Sequence, residues 1–219
     1  MALIVQSDFD DTITVGNVST MVHKAFAPDL ALWQAMEDEY HAGKYSVEES
    51  NIREFALIRR SRAEIEEYVR RNVVVREGFG EFVRYCEAEN IKLVVVSSGL
   101  DLYIRPTLEK AGLARLGFRS GNAEVTPKGI VVSYTDPQGR PLTKGFKDAY
   151  LRLHKRQGHT IFYLGDGHSD YGPAEESDFV MARSTLRKWM ESNGLPHTPF
   201  EDFHQALRSL QAFRRKLGA

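Results

Sequence analysis

Three polar segments of this chain combine residue types that handle phosphate and hard cations. They are Ser7-Asp8-Phe9-Asp10-Asp11-Thr12-Ile13-Thr14, Ser97-Ser98-Gly99 and Gly165-Asp166-Gly167-His168-Ser169-Asp170. Two of them cluster carboxylates, and the other places hydroxyls beside a glycine. Several carboxylates meeting at one place cannot all stay ionised without compensation. A hard cation is the natural partner, and oxygen-only donors favour magnesium over zinc. A carboxylate can also act as a nucleophile or a general acid. Taken singly, each segment has a plainer reading. An acidic junction is often a helix cap or Asx-turn, and Ser-Ser-Gly or Gly-Asp-Gly is often only a turn. Their placement behind three separate apolar runs is what argues for a site.

Those runs are Leu3 to Val5, Ile91 to Val96 and Ile161 to Leu164, with a fourth at Phe179 to Met181. β-Branched and aromatic residues dominate them, so they read as buried strands. Helical patterns separate them: Phe79, Phe82, Val83 and Cys86 recur at helical spacing, and a further helix spans Asp148 to Gln157 with Gly158 past its end. Apolar strands alternating with helices predict an α/β fold with a parallel sheet covered on both faces. In such sheets ligands collect at the carboxyl ends of the strands, where these three segments lie. Phe118 to Thr135 alternates like a β-hairpin turning at Pro127-Lys128-Gly129, and an amphipathic helix over Phe200 to Leu217 ends in a solvated basic run. The stretch from Val15 to Val75 has no strand-like run. It carries two capping boxes, Ser46-x-x-Glu49 and Ser61-x-x-Glu64, and Phe26, Leu30, Trp33 and Met36 at helical spacing. It reads as an inserted helical subdomain.

DFDDTIT, VVVSSG and GDGHSD resemble the first, second and fourth motifs of the haloacid dehalogenase superfamily of phosphohydrolases. The large helical insertion after the first motif resembles the cap of the phosphoserine phosphatase-like branch. The segments Phe26-Ala27-Pro28, Arg76-Glu77-Gly78-Phe79, Gly99-Leu100-Asp101 and Leu195 to Phe203 are similar to the 2-hydroxy-3-keto-5-methylthiopentenyl-1-phosphate phosphatases of methionine salvage. The resemblance implies a Rossmann-like parallel-sheet core over residues 1–14 and 76–219, with a helical cap at 15–75 inserted between the first and second motifs. It implies Asp8 as nucleophile, forming an aspartyl-phosphate, and Asp10 as general acid and then base. Mg2+ would be held by Asp8, the backbone carbonyl of Asp10, and Asp166, with Asp170 behind them holding the metal's waters or Lys147. Ser97, Ser98, Gly99 and Lys147 would bind the phosphoryl group, with Lys144 as the fallback for the motif-three lysine.

The expected substrate is a small phosphorylated metabolite, with the methionine-salvage compound first. Phosphoserine is an alternative, for which Glu37 or Glu48 with Arg53 would grip the head group. Phosphocholine or phosphoethanolamine is another. A phosphate-binding regulatory module without catalysis is a different class; it needs neither a nucleophile nor an acid. Interception of the aspartyl-phosphate by an acceptor other than water would make the enzyme a phosphotransferase. Asp11 reads as solvated surface, Thr12 as a loop-ordering hydroxyl and His168 as loop filling. Phe26, Trp33, Tyr40, Tyr45 and Phe55 read as cap core, while Arg53, Arg59 and Arg60 read as solvated. Cap hinges are expected at Val15 to Asn17 and Val75 to Gly78.

Composition narrows the classes further. In 219 residues, 29 Lys and Arg balance 30 Asp and Glu for a net charge of -1, which argues against a nucleic-acid partner. The one cysteine, Cys86, excludes an intrachain disulfide and a cysteine-built zinc site. No apolar run is long enough to span a bilayer, and the N-terminus lacks the features of a signal peptide, so a cytoplasmic protein without membrane contact is expected. The oligomeric state stays open. Arg53 to Arg76 contains seven arginines against four glutamates, which suggests a basic cap above an acidic floor.

Overall fold

The computed structural model describes residues 2–218. Among these, eight strands form one sheet: β1 (Leu3–Ser7), β2 (Lys92–Leu100), β3 (Phe118–Thr126), β4 (Gly129–Thr135), β5 (Pro141–Leu142), β6 (Thr160–Gly165), β7 (Phe179–Ala182) and β8 (Thr198–Pro199). Their order is β5-β4-β3-β2-β1-β6-β7-β8. From β3 to β8 all neighbours pair parallel, and β4 and β5 complete the edge antiparallel. The expected α/β class and the hairpin at Pro127 to Gly129 are both present. The chain leaves β1 toward β2 on one side and later returns to β6 on the other, so β1 sits at the reversal of strand order where a crevice opens.

The expected strands are shorter than those formed. β1 continues through Gln6 and Ser7, both fully buried, and β2 continues through Ser97, Ser98 and Gly99 to Leu100. Polar side chains inside a buried strand interrupt the apolar pattern without interrupting the ladder. Between Val96 and Leu100 the pairing with β3 shifts register, which turns the Ser97–Gly99 backbone toward the crevice.

Helices α1 (Val18–Phe26), α2 (Leu30–His41), α3 (Val47–Phe55) and α4 (Arg62–Asn72) follow β1; α5 (Phe79–Ala88) precedes β2. Both expected capping boxes form, starting α3 at Ser46 and α4 at Ser61. The single helical stripe expected from Phe26 to Met36 is in fact broken. α1 stops at Phe26, Ala27 is extended ahead of Pro28, and the Asp29 carboxylate accepts the Ala31 and Leu32 N–H groups to start α2. Proline disfavours helix at the residue before it and cannot continue the ladder, which outweighs the apolar spacing. Leu30 and Leu32 are about half exposed, and α2 buries only Trp33 fully.

The two ends of this helical segment are fastened to each other. Thr14 pairs with Val75 in an antiparallel bridge, and the Val15 N–H donates to the Val74 carbonyl at 2.9 Å. The remaining helices, α6 (Asp101–Lys110), α7 (Phe146–Arg156), α8 (Tyr171–Glu176), α9 (Ser184–Ser192) and α10 (Phe203–Lys216), pack on the sheet or on α5. Phe79 and Phe82 of α5 meet Phe203 of α10 edge to face, closing one side of the core.

Candidate active site

A cavity of about 300 Å3 lies at the carboxyl ends of β1, β2 and β6, walled on its other side by α1 to α3. Asp8 follows β1, and its N–H donates to the Leu164 carbonyl at 2.9 Å, so pairing with β6 fixes its position. Asp8 is 3% exposed. Its Oδ1 lies 2.6 Å from Lys147 Nζ. Lys147 stands in the first turn of α7 and also donates to Asp170 Oδ1 at 2.7 Å. Burial opposes the charge of this ammonium, but Asp170 and Asp8 outweigh it and raise its pKa. Lys144 is exposed and lies outside the cavity.

Phe9 turns into the core, fully buried, which lets Asp10 return to the cavity. Asp10 Oδ1 accepts the Val18 N–H at 2.7 Å, and Oδ2 accepts the Tyr103 hydroxyl at 3.0 Å. Burial, then the charge of Asp8, push its carboxyl up to about 7. Asp10 can therefore carry a proton at neutral pH, as a general acid must.

Asp166 follows β6 and receives a 3.3 Å hydrogen bond from the Thr12 hydroxyl. Burial and the charge of Asp8 raise its pKa strongly, and burial also raises that of Asp8. Oxygens of Asp8, Asp166 and Asp170 lie within 4.8 Å of one another. They are not equivalent. Asp170 Oδ1 accepts from Lys147 and, at 2.5 Å, from the Tyr163 hydroxyl; Oδ2 accepts the N–H groups of Asp166 and Gly167 at 3.0 and 2.9 Å. Its oxygens are committed to holding Lys147 and the Asp166 loop. Asp8 and Asp166 lie close together while Lys147 pairs with Asp8 and Asp170, and the all-oxygen donor set fits a divalent ion. Gly165 permits this packing, because a Cβ there would lie 2.6 Å from the Asp170 carboxyl carbon.

Ser97 Oγ accepts the Gly99 N–H at 2.9 Å, which leaves its own proton to donate into the cavity. Gly99 is required: a Cβ would stand 2.2 Å from the Tyr103 hydroxyl and 2.6 Å from Asp10 Oδ2. Ser98 also lines the cavity, but its hydroxyl donates to Glu48 at 3.4 Å and its carbonyl accepts from Asn51 and Tyr134 at 2.8 and 2.6 Å. The sequence expected it to bind phosphate; the structure engages it with α3 and β4. Glu48 in turn accepts the Phe146 N–H at 2.9 Å, capping α7 and so fastening α3 to the helix that carries Lys147.

Three expectations change. Asp11 is tied down rather than idle: its side chain accepts from Gly16 N–H (3.3 Å), Ser184 hydroxyl (2.8 Å) and Arg76 (3.3 Å). Tyr40 lines the cavity beside Glu37 and His41, whereas Trp33 and Phe55 are core as expected. His168 also lines it, with its ring 6.4 Å from Tyr40 and 5.9 Å from His41. The arginines of the helical segment do not reach the cavity. Arg53 stacks over Tyr45 at 3.9 Å, while Arg62, Arg70 and Arg71 pair with acids of α4. Tyr103, Tyr163 and Asn51 escaped the sequence reading, since a tyrosine or asparagine on an apolar helix or strand carries no local sign of its partner.

The profile of the haloacid dehalogenase-like hydrolases matches residues 5–175, a span that contains Asp8, Asp10, Ser97, Lys147 and Asp166. The chain belongs to this family. Relatives within it are similar along their whole length. The chain is 30% identical, over 98% of its length and 98% of theirs, to the 2-hydroxy-3-keto-5-methylthiopentenyl-1-phosphate phosphatase of Brevibacillus brevis. It is 32% identical to the protein of the same name from Geobacillus kaustophilus, over 95% of this chain and 96% of that one. Among solved structures, a phospho-aspartyl intermediate analogue of phosphoserine phosphatase superposes with a TM-score of 0.71 at 19% identity, over 95% of this chain and 98% of that one; that likeness is one of fold.

Proposed function

We propose that this hydrolase cleaves small phosphomonoesters through an aspartyl-phosphate on Asp8, with residues 15–75 as a cap over the reaction. One observation supports the chemistry above others. Two carboxylates stand two residues apart, buried Asp8 against the Lys147 ammonium and half-buried Asp10 against neutral donors only, with its carboxyl near 7. In the first step an Asp8 oxygen attacks phosphorus and the P–O ester bond breaks. The leaving alkoxide takes the Asp10 proton. Water, giving its proton to Asp10, then attacks phosphorus, and the bond to Asp8 breaks to release phosphate. Lys147 and the Ser97 hydroxyl would stabilise the charged phosphoryl oxygens. Asp8, Asp166 and the Asp10 carbonyl would hold Mg2+, which when bound offsets repulsion between carboxylate and phosphate.

The substrate reading rests on the cavity wall. Beyond Lys147, already shared by Asp8 and Asp170, the wall carries no lysine or arginine. A substrate carboxylate would be buried there without a lysine or arginine of its own to pair with, which is costly. Arg53, the arginine a phosphoserine phosphatase would need, is engaged on Tyr45 outside it. Together with the names of the full-length relatives, this favours 2-hydroxy-3-keto-5-methylthiopentenyl-1-phosphate, whose non-phosphate part is uncharged. Glu37 and Tyr40 in the wall support a second reading, a cationic head such as phosphocholine or phosphoethanolamine. Phosphate release from a panel of phosphorylated metabolites with Mg2+ separates these. The enol phosphate, uncharged outside its phosphate, should lead by kcat/KM, and Asp8→Asn should abolish turnover with an unchanged circular dichroism spectrum. Phosphoserine as the sole good substrate would overturn the substrate reading, and an active Asp8→Asn protein the nucleophile.

A further inference from the structure

A second cleft, of about 290 Å3, adjoins the catalytic cavity. It runs between the turn joining α2 to α3, the loop that carries Gly145 and the first turn of α8 at Gly172. The two spaces are continuous, because Tyr40, Val47 and His168 line both. The cleft's own wall adds the Tyr45 ring and the backbones of Gly43, Gly145 and Gly172. Its polar groups are largely committed. Glu48 accepts the Phe146 N–H and the Ser98 hydroxyl, and Ser46 donates to the Thr143 carbonyl while capping α3. Two charged groups remain, the Asp148 carboxylate and the exposed Lys144. They oppose each other, so the cleft offers no net attraction to a charged group. What it does offer is carbon surface within reach of the phosphate site.

We propose that this cleft is the subsite for the apolar tail of the substrate, with Tyr45 and Val47 as specificity-determining residues. The inference rests on the phosphomonoesterase reading of the adjoining cavity and assigns the tail a chemical class: alkyl or thioether, uncharged and flexible. Val47 lines both spaces, placed there by the Ser46 capping box that begins α3. Tyr45 lines the cleft, and Arg53 stacks on its ring at 3.9 Å. A tail entering the cleft also lies against α2 and α3 of the cap and the α7 loop of the core, so it would favour the closed arrangement.

The test uses n-alkyl phosphates and the matching n-alkyl phosphonates, from two to eight carbons, with Mg2+. Turnover is read on the phosphates, and binding, by calorimetry, on the phosphonates, which need no cleavage. Each methylene that enters the cleft should tighten phosphonate binding and raise kcat/KM by about fourfold, levelling off when the cleft is full. Tyr45→Ala, which removes a wall, and Val47→Thr, which keeps the volume but adds a hydroxyl, should each flatten that rise. A flat phosphonate series in the wild-type protein, or no binding at all, overturns the subsite. So does a rise that neither variant alters. A steep phosphonate series without turnover of any phosphate would support the tail subsite while removing the hydrolase reading.

Discussion

Arg76→Ala removes the side chain that clamps the loop bearing Asp8 and Asp10. Arg76 follows the end of the helical segment, and its own N–H donates to the Ile13 carbonyl at 2.7 Å. Its guanidinium donates to the carbonyls of Thr12 (2.9 Å), Thr14 (2.9 Å), Asp11 (3.0 Å) and Glu201 (3.2 Å). The side chain is 10% exposed. The ion pair to half-buried Asp11 adds little, since water screens it. Thr12 and Thr14 are fully buried, so truncation leaves two carbonyls without a donor. At about 1–3 kcal/mol for each unsatisfied group, the loss centres on about 4 kcal/mol. For a chain of this size that lowers Tm by about 8–16 °C. Arg76→Lys keeps the charge but cannot fork to several carbonyls, and should recover less than half of the loss. Below the transition, kcat/KM should fall by at least about tenfold, because the loop from Asp8 to Thr14 loses its outer support. Thermal and urea unfolding with a phosphate-release assay measure all three. A Tm drop under about 3 °C, or full rescue by lysine, would refute the clamp.

Further expectations concern the metal, the cap and pH. Saturating Mg2+, at about one hundred times its Kd, should stabilise the protein by about 2.7 kcal/mol. Asp166→Asn should raise Tm in chelator, by relieving repulsion with Asp8, and should cancel the Mg2+ response; an undiminished response would remove Asp166 as a ligand. Proteolysis at Val15 to Asn17 and Val74 to Gly78, where Val15 and Val74 are more than half exposed, should slow with a substrate analogue and Mg2+. Equal cleavage rates would count against hinged closure. Burial pushes Glu54 up to about 7 from 4.5, against the lowering effect of its Ser50 hydrogen bond. A carboxyl raised on folding stabilises the protein below its unfolded pKa and loses that contribution as pH rises through the folded value. Wild-type stability should therefore fall relative to Glu54→Gln between about pH 4.5 and 7, and parallel stability curves would exclude Glu54 as the titrating group.

Much of this molecule is legible without coordinates, and the reasons are local. Buried parallel strands must be apolar, so β1, β2, β6 and β7 announce themselves, although Gln6, Ser7 and Ser97 to Gly99 hide where two of them end. Capping boxes are short-range contacts, and both formed where Ser46 and Ser61 place them. The failed stripe from Phe26 to Met36 was also a local matter: the extended backbone before Pro28 outweighed the spacing of four apolar residues.

What the chain alone determined is the set of chemical groups and the strand ends that carry them: Asp8 and Asp10 after β1, Ser97 to Gly99 in β2, Asp166 and Asp170 after β6. Only the tertiary structure divided their work. It placed Lys147, not Lys144, between Asp8 and Asp170, and it used up Asp170's oxygens on Lys147, Tyr163 and two backbone N–H groups. It sent Ser98 to Glu48, and it spent arginines of the helical segment on Tyr45 and on acids of α4, away from the cavity. The physical reason is clearest for Lys147 and Ser98. Charge and hydrogen bonding saturate over a few ångströms, and Lys147 meets Asp170 and Ser98 meets Glu48 across 23 and 50 positions of sequence, which local patterns do not encode.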